Sequence, residues 1–313
     1  MIVLFEPWNL GDAIIAASVA RLAPDRFILA CNSCWRDVLM LASGDSLNLL
    51  PLNLPYVWRT DKRFFSLDDA ASTAALKSDP HRITEVISIR GDIRDWVAAH
   101  RIFTEASFRF SGWLPFCARK ISMFDLPFKH GYLKVRNRYH AWADAAGIPF
   151  SMIESTYAAH PEEHDDAPVL IHVGAQWRSK QYPNVADLAD LLKKSGNRVT
   201  ILAGPNDPLP PGISADMAQR PNWPELVAQL RSARYVVTND SGPLHLASFL
   251  GCRVLALSRC SNITEWLPPG AMALSSPSAP RGYRPIPDYW SDQILPGWPS
   301  PDAILTLINS ANQ

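Results

Sequence analysis

The chain has no surplus of charge of either sign: 30 Lys and Arg residues are matched by 30 Asp and Glu residues over 313 positions. That balance argues against a broad basic face for nucleic acid, because affinity for a phosphate backbone needs clustered cations. Cysteine is scarce, with Cys31, Cys34, Cys117, Cys252 and Cys260 scattered through the chain. An odd and dispersed set does not build the disulfide framework of a small secreted domain. Cys31-Asn-Ser-Cys34 has C-x-x-C spacing and fits half a metal site or a redox pair. No second close pair completes a zinc set, however, and a cysteine after an apolar strand also fits plain packing. No apolar run reaches the roughly 20 residues of a membrane-spanning helix. The opening MIVLFEPWN lacks the basic region and apolar stretch of a signal peptide, so a cytoplasmic location is expected. Short repeats and low-complexity tracts are missing too, which leaves no support for a solenoid or a linker-rich chain.

What the chain does contain is apolar residues, 47% of the total, enough for two buried cores. They fall in alternating short strands and longer helical stretches. In the first half, Ile2 to Phe5, Phe27 to Ala30 and Val86 to Ile89 read as strands. Asp12 to Leu22, Trp35 to Ala42, Ile93 to His100 and Tyr132 to Ala146 read as helices, the last stopped by Gly147 and Pro149. The polar, acidic, proline-bounded stretch 151–167 reads as a linker. In the second half, strands are expected at Val169 to Val173, Arg198 to Leu202, Tyr235 to Val237 and Arg253 to Leu257. Helices are expected at Val185 to Lys194, Trp223 to Ser232, Leu244 to Leu250 and Asp302 to Asn309. The Pro-, Trp- and Tyr-rich stretch Trp266 to Pro301 reads as an ordered loop without regular structure. Alternation of this kind predicts an α/β fold with two Rossmann-like, doubly wound parallel domains, 1–150 and 168–313.

In such sheets ligands bind beyond the carboxyl ends of the strands. In the second half those ends carry Gly174 and Gln176, then Gly204 and Pro205, then Asp240, Ser241, Gly242 and Pro243. Small residues there let a ligand approach the backbone. The amides at the start of the helix after Ser241 suit an anion, and His245 sits one turn inside. Lys180 follows the first of these loops and is suited to a diphosphate. Asp240 and Ser241 equally fit plain helix caps, and Lys180 a solvated surface lysine. In the first half the matching place is Glu6-Pro7-Trp8-Asn9-Leu10-Gly11-Asp12. Asp12 opens the helix, where the macrodipole favours a carboxylate. A general base and an ordinary cap both fit that position.

These segments resemble the ADP-heptose:lipopolysaccharide heptosyltransferases, the ninth glycosyltransferase family. The matches are Gly11-Asp12-Ala13-Ile14-Ile15, VISIRGDIRDWVAAHRI (86–102), VLIHVGAQWRSKQYP (169–183), VTILAGPND (199–207) and Asn239-Asp240-Ser241-Gly242-Pro243-Leu244-His245. The last is close to the family's N-D-T-G-P-x-H, with Ser241 in place of Thr. They occur in the family's order and span most of the chain.

The resemblance implies a GT-B fold, two Rossmann-like domains facing across a cleft, and an inverting sugar transfer from a nucleotide-diphosphate donor. It implies Asp12 as catalytic base and Asn9, Gly11 and Arg90 on the acceptor side. Gly174, Gln176, Lys180, Gly204, Pro205, Asp240, Ser241, Gly242, Pro243 and His245 would hold the donor, with Asp240 ordering the loop or meeting the nucleoside. Heptose and a lipopolysaccharide-core acceptor are the family's substrates, and contact with the inner membrane's cytoplasmic face is compatible with them. No cofactor beyond the nucleotide sugar and no metal is implied. The chain departs from the family in having no cysteine after Cys260, where many members carry a cysteine cluster. Other classes remain open: a nucleotide-sugar-binding protein without activity, or a sugar epimerase on the same fold.

Overall fold

The computed structural model describes residues 1–53, 83–90, 93–110, 135–157, 166–282 and 287–311. The chain divides into two compact units, one of Met1–Tyr132 and Arg138–Ile153, the other of Leu133–Asn137 and Glu154–Gln313.

Among the described residues the first unit holds a sheet of strands β1 (Ile2–Phe5), β2 (Phe27–Asn32), β3 (Leu49–Leu52), β4 (Glu85–Ser88) and β5 (Ser107–Phe110). Their spatial order is β3-β2-β1-β4-β5, and every pairing is parallel. The central strands are apolar on both faces because helices cover both. Helix α1 (Leu10–Ala20) is apolar nearly all round and buried from Ala13 to Ala20, as a helix wedged between other elements must be. It packs on helix α4 (Arg138–Ala146), which contributes the fully buried Tyr139 and the nearly buried Trp142. Between these lie helices α2 (Arg36–Ser43) and α3 (Ile93–Ile102). Helix α5 (Phe150–Tyr157) follows α4 and occupies the start of the stretch read as linker. The rest of that stretch up to residue 165 lies outside the described residues.

The second unit is built the same way. Strands β6 (Val169–His172), β7 (Val199–Leu202), β8 (Ala218–Gln219), β9 (Tyr235–Asn239), β10 (Val254–Ser258) and β11 (Met272–Ser275) pair in the order β11-β10-β9-β6-β7-β8, all parallel. Helices α6 (Val185–Lys194), α7 (Trp223–Arg231), α8 (Gly242–Phe249) and α9 (Pro301–Ser310) complete it. One core cluster joins Val169, Ile171, Val237 and Leu255 of the sheet to Leu188 and Leu192 of α6 and to Ile304 and Ile308 of α9. At the rear of α6 the chain turns at Gly196, whose φ of 85° is a backbone conformation that only glycine adopts without strain.

Both sheets therefore wind outward from their first strand. The strand order reverses between β1 and β4 in the first unit and between β6 and β9 in the second. In sheets of this kind the carboxyl edge at a switch point is where a ligand crevice is expected.

Four strands differ from the sequence reading. β3, β5, β8 and β11 were not expected, and β11 lies inside the stretch Trp266 to Pro301 that reads as lacking regular structure. All four sit at or next to a sheet edge. β3 carries Pro51, which an edge strand tolerates. β5 is Ser-Phe-Arg-Phe and half exposed. Neither shows the buried apolar run by which the central strands were recognised.

Candidate functional site

At the switch point of the first sheet the loop after β1 is held by buried polar groups. The indole N–H of Trp8 donates to Asp95 Oδ1 (2.5 Å), and the hydroxyl of Ser88 donates to Asp95 Oδ2 (2.7 Å). Asp95, fully buried on α3, thus ties the ends of β1 and β4 together. Ser88 Oγ also accepts the backbone N–H of Arg90 (3.3 Å). This brings the Arg90 guanidinium between two carboxylates, 3.3 Å from Glu6 Oε1 and 3.2 Å from Asp12 Oδ2.

Asp12 is the third residue of α1 and not its first. The N-cap is Asn9, whose side chain makes no capping bond. Instead the Asn9 amide donates to Asp12 Oδ2 (3.1 Å). The recorded partners of the Asp12 carboxylate are therefore side chains, Asn9 and Arg90, and its side chain is 18% exposed. Gly11 lies within the helix, as its second residue.

Glu6 is buried, and burial pushes its carboxyl well above the usual carboxylate range. Repulsion from Asp12 adds to the rise and Arg90 opposes it; Asp95 and Arg138 contribute smaller effects of opposite sign. Of this cluster the sequence singled out Asp12, Asn9 and Arg90; Asp95 and Trp8 went unmarked. Asp95 is one of many acids at the start of a helix, and only the fold shows that it is buried.

In the second unit the crevice lies between the ends of β6 and β9. Asn239 stitches it. Its amide donates to the carbonyls of Val173 (3.1 Å) and Gly174 (3.4 Å), and its Oδ1 accepts the N–H of Tyr182 (2.9 Å). Next to it, Asp240 Oδ2 receives the hydroxyl of Ser261 (2.7 Å) and lies 3.0 Å from Lys180 Nζ. Lys180 is not a solvated surface lysine, since its side chain is only 12% exposed and paired. Burial alone would lower its pKa, but Asp240 and Tyr289 outweigh that and raise it. Burial would raise Asp240, but Lys180, Ser261 and His245 outweigh it and lower it. Both members of the pair are thus held ionised.

Helix α8 begins at Gly242, two residues before the expected start, with Ser241 as N-cap and Pro243 in the first turn. The Ser241 hydroxyl donates back to the carbonyl of Asn239 (3.2 Å) and does not cap the helix. The N–H of Leu244 is already bonded to Ser241 O (3.1 Å). Among the described residues, the amides of Ser241 and Gly242 are left as the open anion donors of this turn. His245 lies behind them, buried in the first turn of α8.

Gly174 and Gly204 meet a need that the sequence did not show. A Cβ on Gly174 would collide with the carboxylate of Asp207 and with the His172 ring, and one on Gly204 with the same carboxylate. Asp207 Oδ2 accepts the Gly204 N–H (2.7 Å), and Arg220 donates to the carbonyls of Gly204 and Asp207. The two glycines therefore make room for an acidic side chain that closes the turn. Burial lowers the pKa of His172, against the opposing pull of Asp207 and the Gly174 backbone. Pro205 is exposed at the tip of this turn. Gln176 is part-buried and, among the described residues, makes no recorded hydrogen bond.

The C-x-x-C pair does not look reactive. Burial raises the Cys31 thiol to about 12 and the Cys34 thiol to about 11, so neither supplies thiolate at neutral pH. Among the described residues no group of three or more His, Cys, Asp or Glu side chains could hold a metal ion. No helix among them is long and apolar enough to cross a membrane.

Residues 131–277 match the model of glycosyltransferase family 9 (heptosyltransferase). No curated protein sequence matches the chain. Many solved structures are similar to the chain, three of them as follows. E. coli heptosyltransferase WaaC with ADP is 15% identical, with a TM-score of 0.57 and coverage of 99% of each chain. E. coli ADP-heptose lps heptosyltransferase II is 14% identical, with a TM-score of 0.61 over 99% of this chain and 97% of that one. The iron-containing dodecameric glycosyltransferase TibC from enterotoxigenic E. coli is 11% identical, with a TM-score of 0.54 over 100% of this chain and 76% of that one. The family resemblance read from the sequence is thus borne out, and the two parallel-sheet α/β domains are those of GT-B heptosyltransferase structures.

Proposed function

We propose that this chain, a heptosyltransferase-like glycosyltransferase with a family 9 match over residues 131–277, performs an inverting transfer of a sugar from a nucleotide-diphosphate donor to a glycan or glycolipid hydroxyl. One observation carries the reading. The Asp12 carboxylate is held by the Asn9 amide and the Arg90 guanidinium, is partly exposed, and sits at the switch point of its sheet. A carboxylate spent on helix capping would be bonded to backbone amides instead.

In this mechanism the diphosphate binds at Lys180, His245 and the amides of Ser241 and Gly242. These groups stabilise the negative charge that grows on the leaving group as the glycosidic C–O bond breaks. The acceptor oxygen attacks the anomeric carbon from the opposite face, so one displacement inverts its configuration. Asp12 takes the proton that this oxygen loses. Gln176, whose amide makes no hydrogen bond among the described residues, binds the donor's polar groups in this reading. Charge stabilisation by these residues replaces a divalent metal, and no cofactor other than the nucleotide sugar takes part. Asn9 and Arg90 orient Asp12 on the acceptor side.

The names of its structural relatives make ADP-heptose the first donor to test and lipopolysaccharide the first acceptor. The test is a thermal-shift panel of ADP-, UDP- and GDP-sugars followed by a transfer assay with the donor that binds. At about 100 times its dissociation constant a donor stabilises the fold by ~2.7 kcal/mol. Turnover of the donor sugar without any acceptor, with its nucleotide still attached, would reassign the protein as an epimerase.

A further inference from the structure

The loop that reads as featureless in the sequence places one of its residues on the key lysine. Tyr289 lies in the 3-10 turn Pro287–Trp290. Its hydroxyl is 3.3 Å from Lys180 Nζ, and the ammonium lies 5.3 Å from the centroid of its ring. The two short turns are clamped together through the residue before the lysine. Ser179, fully buried, donates its hydroxyl to the carbonyl of Tyr289 (2.5 Å) and its backbone N–H to the carbonyl of Ser291 (3.2 Å). The Cys260 thiol in turn donates to the carbonyl of Ser179 (2.6 Å).

An ammonium on a four-carbon stem is a point charge with no preferred direction, so its position is set by its acceptors. It has three N–H donors. Among the described residues Asp240 and Tyr289 take two, which leaves one for a ligand. The two acceptors behave differently once a diphosphate arrives. Asp240 is an anion and is repelled by it. The phenol is neutral and holds the lysine without opposing the ligand.

We propose that Tyr289 is a positioning residue for the donor, holding the Lys180 ammonium where it meets the diphosphate. The proposal rests on the reading of Lys180 as a diphosphate ligand and adds a residue outside the family motifs.

The test is a double-mutant cycle on Tyr289→Phe and Lys180→Met, read by isothermal titration with ADP, UDP and GDP. The Phe variant keeps the ring and its packing and loses only the hydroxyl. It should weaken binding of the preferred diphosphate by ~10-fold, the scale of one hydrogen bond to a charged group. It should also lower kcat/KM for transfer, with part of the loss in kcat, because the lysine it positions meets charge that grows as the leaving group departs. In the Lys180→Met background the same change should have no further effect. Wild-type affinity in Tyr289→Phe, or an equal loss with and without Lys180, would overturn the positioning role. Failure of the wild-type chain to bind any of the three diphosphates would instead overturn the donor-site reading beneath it. Melting curves separate loss of binding from loss of fold; should Tyr289→Phe melt early, Tyr289→His, which keeps a ring acceptor, takes its place and should bind better than Tyr289→Ala.

Discussion

Asp12→Asn keeps the size of the side chain and an oxygen for Arg90 and Asn9, but not a carboxylate's power to take a proton. Transfer should fall at least ~100-fold while donor affinity stays as in the parent. Loss of a cap would lower stability by only ~1 kcal/mol and leave turnover intact, so the assay separates the two roles. Glu6 offers a second test at this scale. Its folded-state pKa is raised, so the native protein binds a proton more tightly than the unfolded chain does. That contribution is full at pH below the unfolded glutamate value and is lost as pH rises through the raised folded value. Glu6→Gln should therefore flatten the melting-temperature profile above the ordinary carboxylate range and stabilise the protein most at its alkaline end. Gly174→Ala should cost about 1–3 kcal/mol through overpacking against Asp207. Combining it with Asp207→Ala should recover part of that loss, which urea unfolding would show as non-additivity.

At the scale of elements, the helix Trp223–Arg231 has a complete capping box. Asn222 Oδ1 accepts the Glu225 N–H (3.0 Å) and Glu225 Oε2 accepts the Asn222 N–H (2.9 Å). Asn222→Ala should cost ~1 kcal/mol by chemical denaturation and leave transfer unchanged, since the box touches neither switch point. The elements legible in the sequence are those whose own residues are sufficient to specify them. α6 was read to the residue because its apolar face repeats at helical spacing and Gly196 ends it. The central strands were read because both of their faces are buried. The edge strands depend on neighbours for their pairing, and their composition reads as loop. The same limit applies to the site. Asp12, Lys180 and His245 carry a motif, whereas Asp95, Ser261 and Tyr289 are ordinary residues that only tertiary folding brings to their partners.

For the whole molecule, two sheets with the same winding divide the work between them in the proposed reaction. Each unit has its own sheet and its own core cluster. Hydrogen exchange with a bound nucleoside diphosphate should therefore slow the amides of Gly174, Gly204, Ser241 and Gly242. The amides around Asn9 to Asp12 should be left unchanged until an acceptor is added. Slowing confined to the first unit would place the nucleotide on the wrong side. The alternation of strands and helices pointed to parallel sheets, but it left open the strand order of each unit, whose edge strands it did not mark.

The ion pair of Lys180 with Asp240 also bears on which anions the proposed donor site would ignore. A lone buried ammonium would be a trap for inorganic phosphate and other small anions that outnumber nucleotide sugars in a cell. With its counter-charge supplied 3.0 Å away, the lysine has little to gain from a simple ion. An incoming ligand must displace or share Asp240, and only one that is anchored by several groups at once recovers that cost. In the proposed donor site, selectivity against the commonest anions would thus come from this pair, before any sugar or base is recognised.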